Sequence, residues 1–179
     1  MFSLSDKIIR NVYITLFSLF LLILTLIFSN YFENPFILPN FALIAIIYFA
    51  LYFNIFNGLI ASYLFFYVYG CFTAMNPYTY AMAGVIIFTV AFYLWKKFLS
   101  DNIIYEIFIT FISSALYYFL IFAVSFIYFK YRYNLIYYVL FYLLPVSAIT
   151  SMVSPIVFYF FRKIDYYRYK KRTQTGLKI

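Results

Sequence analysis

Charge is the scarcest commodity in this sequence. Only 10% of the 179 residues are charged, against roughly 25% in a typical soluble domain. Five are acidic: Asp6, Glu33, Asp101, Glu106 and Asp165. There is no histidine and one cysteine, Cys71. No disulfide can close within the chain, and zinc or haem sites of the usual kinds have almost nothing to be built from. All five acids fall in links or near helix ends, and no Asp, Glu, Lys, Arg or His lies in the middle of an apolar run. Intramembrane proteases need paired carboxylates or a base at depth, and proton-coupled transporters need a buried carboxylate. Neither is expected here, nor any cofactor, and nothing points to nucleic acid.

What is abundant is apolar. The chain is 68% hydrophobic, with 26 Phe and 23 Tyr. A soluble fold cannot hide that much apolar surface, so lipid must solvate part of it. Lys7 and Arg10 precede an apolar run as in a signal peptide, but Phe28-Ser29-Asn30-Tyr31 offers no small-x-small cleavage site, and a retained helix is expected. Cys71 is read as a small buried or lipid-facing hydrophobe.

A spanning helix needs about 20 apolar residues. Six runs qualify or nearly so: 12–28, 36–53, 55–73, 78–95, 103–129 and 135–161. The expected fold is therefore an all-α integral membrane protein, a bundle of about six transmembrane helices. Residues 1–11 form the N-terminal segment, 12–161 the membrane domain and 162–179 a basic tail. Asn54 to Gly58 and Met75-Asn76-Pro77 read as turn-forming links. Links this short make sequential helices antiparallel neighbours.

Six crossings put both ends on one side. That side collects Lys7, Arg10, Lys96, Lys97 and seven tail cations starting at Arg162 and Lys163, while the other receives only Lys130 and Arg132. The positive-inside bias makes both termini cytoplasmic, and the tail is placed to touch anionic lipid headgroups. Tyr128 to Tyr133 reads as an interfacial aromatic belt with snorkelling cations, and Trp95 beside Lys96 as its counterpart.

Asn40, Asn54, Asn57, Asn76, Ser113 and Ser114 are available for hydrogen bonds between helices. Ser147, Thr150, Ser151 and Ser154 follow i, i+3, i+4, i+7 spacing and share one helix face. Pro145 and Pro155 should bend that helix or end a regular stretch of it, leaving carbonyls for those hydroxyls.

The order of several short motifs resembles the bacterial rod shape-determining protein MreD family. They are Leu38-Pro39-Asn40 entering the second helix; Tyr48-Phe49-Ala50-Leu51-Tyr52 followed by Gly58; Gly70 late in the third helix; and Pro155-Ile156-Val157-Phe158 with Phe161-Arg162 at the end of the last span. Two departures stand out. Asn40 occupies the family's usual Asp, and no acid follows Gly70. The resemblance implies a fold similar to the S component of energy-coupling-factor transporters and a location in the bacterial cytoplasmic membrane. It implies a non-enzymatic role in cell elongation: binding the single-span protein MreC and, through it, a wall-synthesis glycosyltransferase and a class B penicillin-binding protein. The alternative is an S-component-like vitamin-binding subunit of a transporter. The candidate partner-binding residues are Pro39, Asn40, Gly58, Gly70, Asn76, Pro77, Pro155 and Arg162.

Overall fold

The computed structural model describes residues 4–31, 38–73, 76–98, 102–129 and 135–174. Expectations for Glu33, Asp101, Lys130, Arg132 and Met75 lie outside the described residues. So do those for the side chains of Asp6, Lys7, Arg10, Asp165 and the tail cations from Arg168 onward.

The described residues fold into helices: α1 (Leu4–Tyr31), α2 (Phe41–Tyr52), α3 (Ile55–Cys71), α4 (Pro77–Phe98), α5 (Ile103–Phe129), α6 (Leu135–Tyr138) and α7 (Leu144–Gln174). A π-helical turn, Val139–Leu143, joins α6 to α7 with helical backbone angles at both junctions. Three stretches are long and apolar enough to cross a bilayer: Pro77–Lys97, Ile103–Tyr128 and Leu135–Ile164. Three shorter stretches, Val12–Phe28, Phe41–Tyr52 and Ile55–Cys71, are also apolar. The chain is a helical membrane protein.

α2 differs most from expectation. Its run was expected to start near residue 36, but Leu38, Pro39 and Asn40 are not helical and the helix has only 12 residues. At 1.5 Å per residue it is about 18 Å long, well short of the roughly 30 Å hydrocarbon layer. It touches α1, α3, α4, α5 and α7, and every residue from Ala42 to Leu51 is buried. A helix buried on all sides is apolar on all sides, so its sequence has no periodicity from which its ends could be read.

The second link is also shorter than expected. Only Phe53 and Asn54 separate α2 from α3, so Asn57 and Gly58 lie inside the first turns of α3. Gly58 serves close packing rather than a turn: a Cβ there would run into the Phe88 ring of α4. Gly84 of α4 receives the Phe66 ring of α3 in the same way. These reciprocal glycine–phenylalanine contacts draw α3 and α4 together, as small residues do between membrane helices. At the far end of the pair, a Cβ on Gly70 would stand 2.7 Å from the Cα of Pro77. Pro77 opens α4, where its missing N–H leaves no helical bond unmade. The Asn76 side chain accepts from Tyr78 N at 3.0 Å, so the expected turn residues here act as a helix cap. Cys71, at the C-terminal end of α3, is exposed rather than buried.

The last span carries its prolines without breaking. Leu144 N–H donates to Val139 O, one residue beyond the α-helical partner. Pro145 explains the shift, because its ring displaces the carbonyl four residues back. Pro155 lies inside α7 and orphans the carbonyl of Ser151. Ser154 Oγ donates to that carbonyl at 2.8 Å, the repair expected of these hydroxyls.

Gly70→Ala should cost about 1–3 kcal/mol by overpacking, because the obstructing atom is backbone. Unfolding by SDS titration from detergent micelles measures it. Ala substitution at exposed Met82 should leave the midpoint unchanged.

Candidate functional site

At the buried N-terminus of α2, backbone donors are met by the side chain of Asn40 and by hydroxyls of neighbouring helices. A helix leaves its first N–H groups without internal partners. Away from water each unmade bond costs about 1–3 kcal/mol. Asn40 Oδ1 accepts from Leu43 N at 3.0 Å, a side-chain cap of the helix. Thr25 Oγ1 of α1 accepts from Ala42 N at 3.1 Å, and Thr150 Oγ1 of α7 accepts from Asn40 N at 3.2 Å. Asn40 Nδ2 donates to the Tyr118 hydroxyl of α5 at 3.3 Å. Three separate helices are thus tied to one helix end, and Asn40 is 4% exposed.

Tyr118 also belongs to a cluster of tyrosine rings. It meets Tyr117 at 5.2 Å and Tyr142 at 5.6 Å between centroids. Tyr138 meets Tyr142 at 5.1 Å, and its hydroxyl donates to Tyr118 O at 3.3 Å. Tyr69 and Tyr80 meet at 5.6 Å and connect to the cluster through Phe66, which packs on both Tyr69 and Tyr117. The rings pack against each other in edge-on or tilted contacts, the arrangement their quadrupoles favour.

The other end of α2 faces a different set of contacts. Tyr48 stacks on Phe161 of α7 at 4.2 Å and leans on Phe158 at 5.8 Å. Phe17 of α1 meets the edge of Phe161 at 4.7 Å. The next residue, Arg162, grips Glu106 of α5 with both arms of its guanidinium: Nη1 to Oε1 at 2.8 Å and Nη2 to Oε2 at 3.4 Å. The Glu106 side chain is fully buried and that of Arg162 is 37% exposed. A buried carboxylate is costly without a partner, and this forked contact is the strongest pairing arginine makes. Lys96 sits over the Phe92 ring at 4.6 Å, and Trp95 leans on Tyr52 at 6.5 Å.

The eight candidate residues therefore divide. Asn40, Gly58 and Gly70 are buried and engaged within the chain. Pro39, Pro77 and Pro155 are half-buried, and Asn76 is exposed at the entry to α4. Arg162 is brought together with Glu106, a residue that sequence reasoning passed over as an interfacial acid. Glu106 sits one turn inside α5, but nothing in the sequence near either residue pairs it with Arg162. Asn40 acts on α5 and α7 together, which no local pattern announced. Ser113, Ser114 and Ser147 are fully buried, and their hydroxyls have no hydrogen-bond partner among the described residues. No group of three His, Cys, Asp or Glu forms among the described residues.

Two predictions separate these joints. Asn40→Ala should cost about 1–2 kcal/mol, the usual loss on removing a side-chain cap, and Tyr118→Phe less, read from unfolding midpoints in micelles. Arg162→Gln removes the forked cationic partner of the buried Glu106 carboxylate. The loss should be about 2–3 kcal/mol, below the range for fully buried pairs because water reaches the guanidinium. Adding Glu106→Gln to Arg162→Gln should recover part of that stability, giving a double-mutant cycle with non-zero coupling.

Comparison with protein-family models, with curated proteins and with solved structures finds no match to this chain.

Proposed function

We propose that this chain is a non-enzymatic scaffold of the bacterial cell-elongation machinery, similar to MreD. In this reading it crosses the cytoplasmic membrane six times with both termini in the cytoplasm, the 12-residue α2 completing its crossing with the non-helical residues 38–40, which add up to about 10 Å. It holds an MreC-like single-span protein and so supports side-wall peptidoglycan synthesis and cell shape. The glycosyltransferase and class B penicillin-binding protein are reached through that partner.

What carries the reading is that two of the motifs behind the family resemblance touch, the second and the last, while the first is held at the buried start of α2. Asn40 of the Leu38-Pro39-Asn40 motif caps α2 and holds Thr150. Tyr48 of the second motif stacks on Phe161 of the last, and Arg162 beside it grips Glu106. Residues that meet in the fold constrain each other's identity, so their co-occurrence in order is worth more than any one of them. The basic ends of α4 and α7, with Lys96, Lys97 and Lys163 exposed, fit a cytoplasmic side. The low charge of the chain fits a partner held by close packing and a few hydrogen bonds within lipid.

The test is affinity purification of the tagged full chain from its native membranes, with mass spectrometry of what comes with it. An MreC-like single-span protein together with wall-synthesis enzymes is the expected result. Paired ATPases with a large membrane coupling subunit would overturn it in favour of a transporter's substrate-binding component.

A further inference from the structure

Three hydroxyls stand against the rule that buried polar groups are paired. Ser113 and Ser114 of α5 and Ser147 of α7 are fully buried, and none has a hydrogen-bond partner among the described residues. Other buried hydroxyls of the same two helices are settled on their own backbone. Thr110 donates to Glu106 O at 2.7 Å, and Ser151 and Ser154 donate to Ala148 O and Ser151 O, each at 2.8 Å.

The register of α5 against α7 brings the three to one level. The helices pack on each other and run antiparallel, since Tyr118 meets Tyr142 in the turn leading α7 while Glu106 meets Arg162 near its far end. Ser114 lies four residues from Tyr118 and Ser147 five from Tyr142, about 6 and 7.5 Å from that ring contact at 1.5 Å per residue. Ser114 shares the face of Tyr118 one turn away, and Ser113 that of Glu106 two turns away. Ser147 shares a face with Thr150, whose Oγ1 accepts from Asn40 N and whose proton has no acceptor among the described residues. All of them lie near the middle of the Ile103–Tyr128 and Leu135–Ile164 spans.

We propose that an ordered water molecule is bound here, bridging Ser114 of α5 to Ser147 of α7, with Ser113 and Thr150 completing its shell. Each serine hydroxyl can donate once and accept, and a buried water makes about three hydrogen bonds. Space for it follows from the side chains around it. The Tyr118 and Tyr142 rings on one side and the Glu106–Arg162 fork on the other hold the helices apart, and serine is too short to fill the interval. A lipid tail has neither donor nor acceptor to offer. A cation at this depth would need a counter-charge, and Glu106, the nearest acid along α5, is two turns away and already held by Arg162. The water extends the hydrogen-bonded joint at the start of α2, through Thr150, into the interface between α5 and α7.

The test is a double-mutant cycle on the full chain in micelles, read as SDS unfolding midpoints. Ser114→Ala and Ser147→Ala should each lower the midpoint. The double variant should fall by less than the two shifts added, because either change removes the same bridge. Midpoints that rise overturn the proposal: the hydroxyls are then unmet, and alanine relieves them. Shifts that add without coupling also overturn it, the result if each serine turns back onto a carbonyl of its own helix. Radiolytic hydroxyl-radical labelling in lipid nanodiscs, mapped by mass spectrometry, is a second readout independent of stability. Radicals formed from the bound water should oxidise the buried ring of Tyr118, and that labelling should fall to background in Ser147→Ala. A direct serine–serine bond would give coupling without labelling at Tyr118, and that combination overturns the water. So does a wild-type midpoint that shifts when sodium and potassium are replaced by choline, which would assign the site to a cation.

Discussion

The structure depends on one constraint: the first N–H groups of α2 are buried where water cannot serve them. In a low-dielectric interior each must find an oxygen. Asn40 supplies one from its own side chain, Thr25 brings α1, and Thr150 brings α7. The remaining donor of Asn40 engages Tyr118 and so brings α5. Requirements of one short helix thereby set how three longer ones stand around it. Because hydrogen bonds are directional while apolar packing is not, these four contacts specify register where the surrounding Leu, Ile and Phe side chains only fill space.

The opposite end of α2 is held by shape and by one ion pair. Tyr48 against Phe161 and Phe158 sets the height of α7 relative to α2, and Arg162 with Glu106 sets it relative to α5. α7 is therefore fixed at both ends of the buried helix. Between those points it carries Pro155, whose orphaned carbonyl is taken up by Ser154, and just ahead of them the π turn that accommodates Pro145. A span with two prolines stays continuous because each irregularity is resolved locally, by a hydroxyl or by a one-residue change in hydrogen-bond register. On the other flank, α3 and α4 lock through Gly58 with Phe88 and Gly84 with Phe66. α1 is left joined to α2 and α7.

Much of the candidate site was legible residue by residue but not in its connections. Pro39 and Asn40 ahead of an apolar run carry the signature of a helix start, yet the helix was expected to begin earlier because hydropathy alone cannot separate an extended apolar segment from a helical one. Gly58 reads as a turn residue beside Asn54 and Asn57, and only the Phe88 ring reveals its use in packing. Glu106 reads as an interfacial acid because it lies near a helix end. Its partner is 56 residues away, and nothing local marks the pair. The Ser154 repair of Pro155 was accessible, since both ends of that hydrogen bond lie within one helical turn.

The sequence by itself determined that this protein is a bundle of apolar helices in a membrane, because the free energy of burying charge or exposing apolar surface depends on composition and run length alone. It also determined the entry to α4 at Asn76-Pro77 and the way α7 carries its prolines, since those depend on neighbours a few residues apart. Tertiary structure decided that the second helix is the short, enclosed centre of the fold. It decided that Asn40 joins three helices and that Arg162 answers Glu106. Each of these depends on which distant atoms meet, and an all-round apolar sequence with no periodicity carries no record of its neighbours.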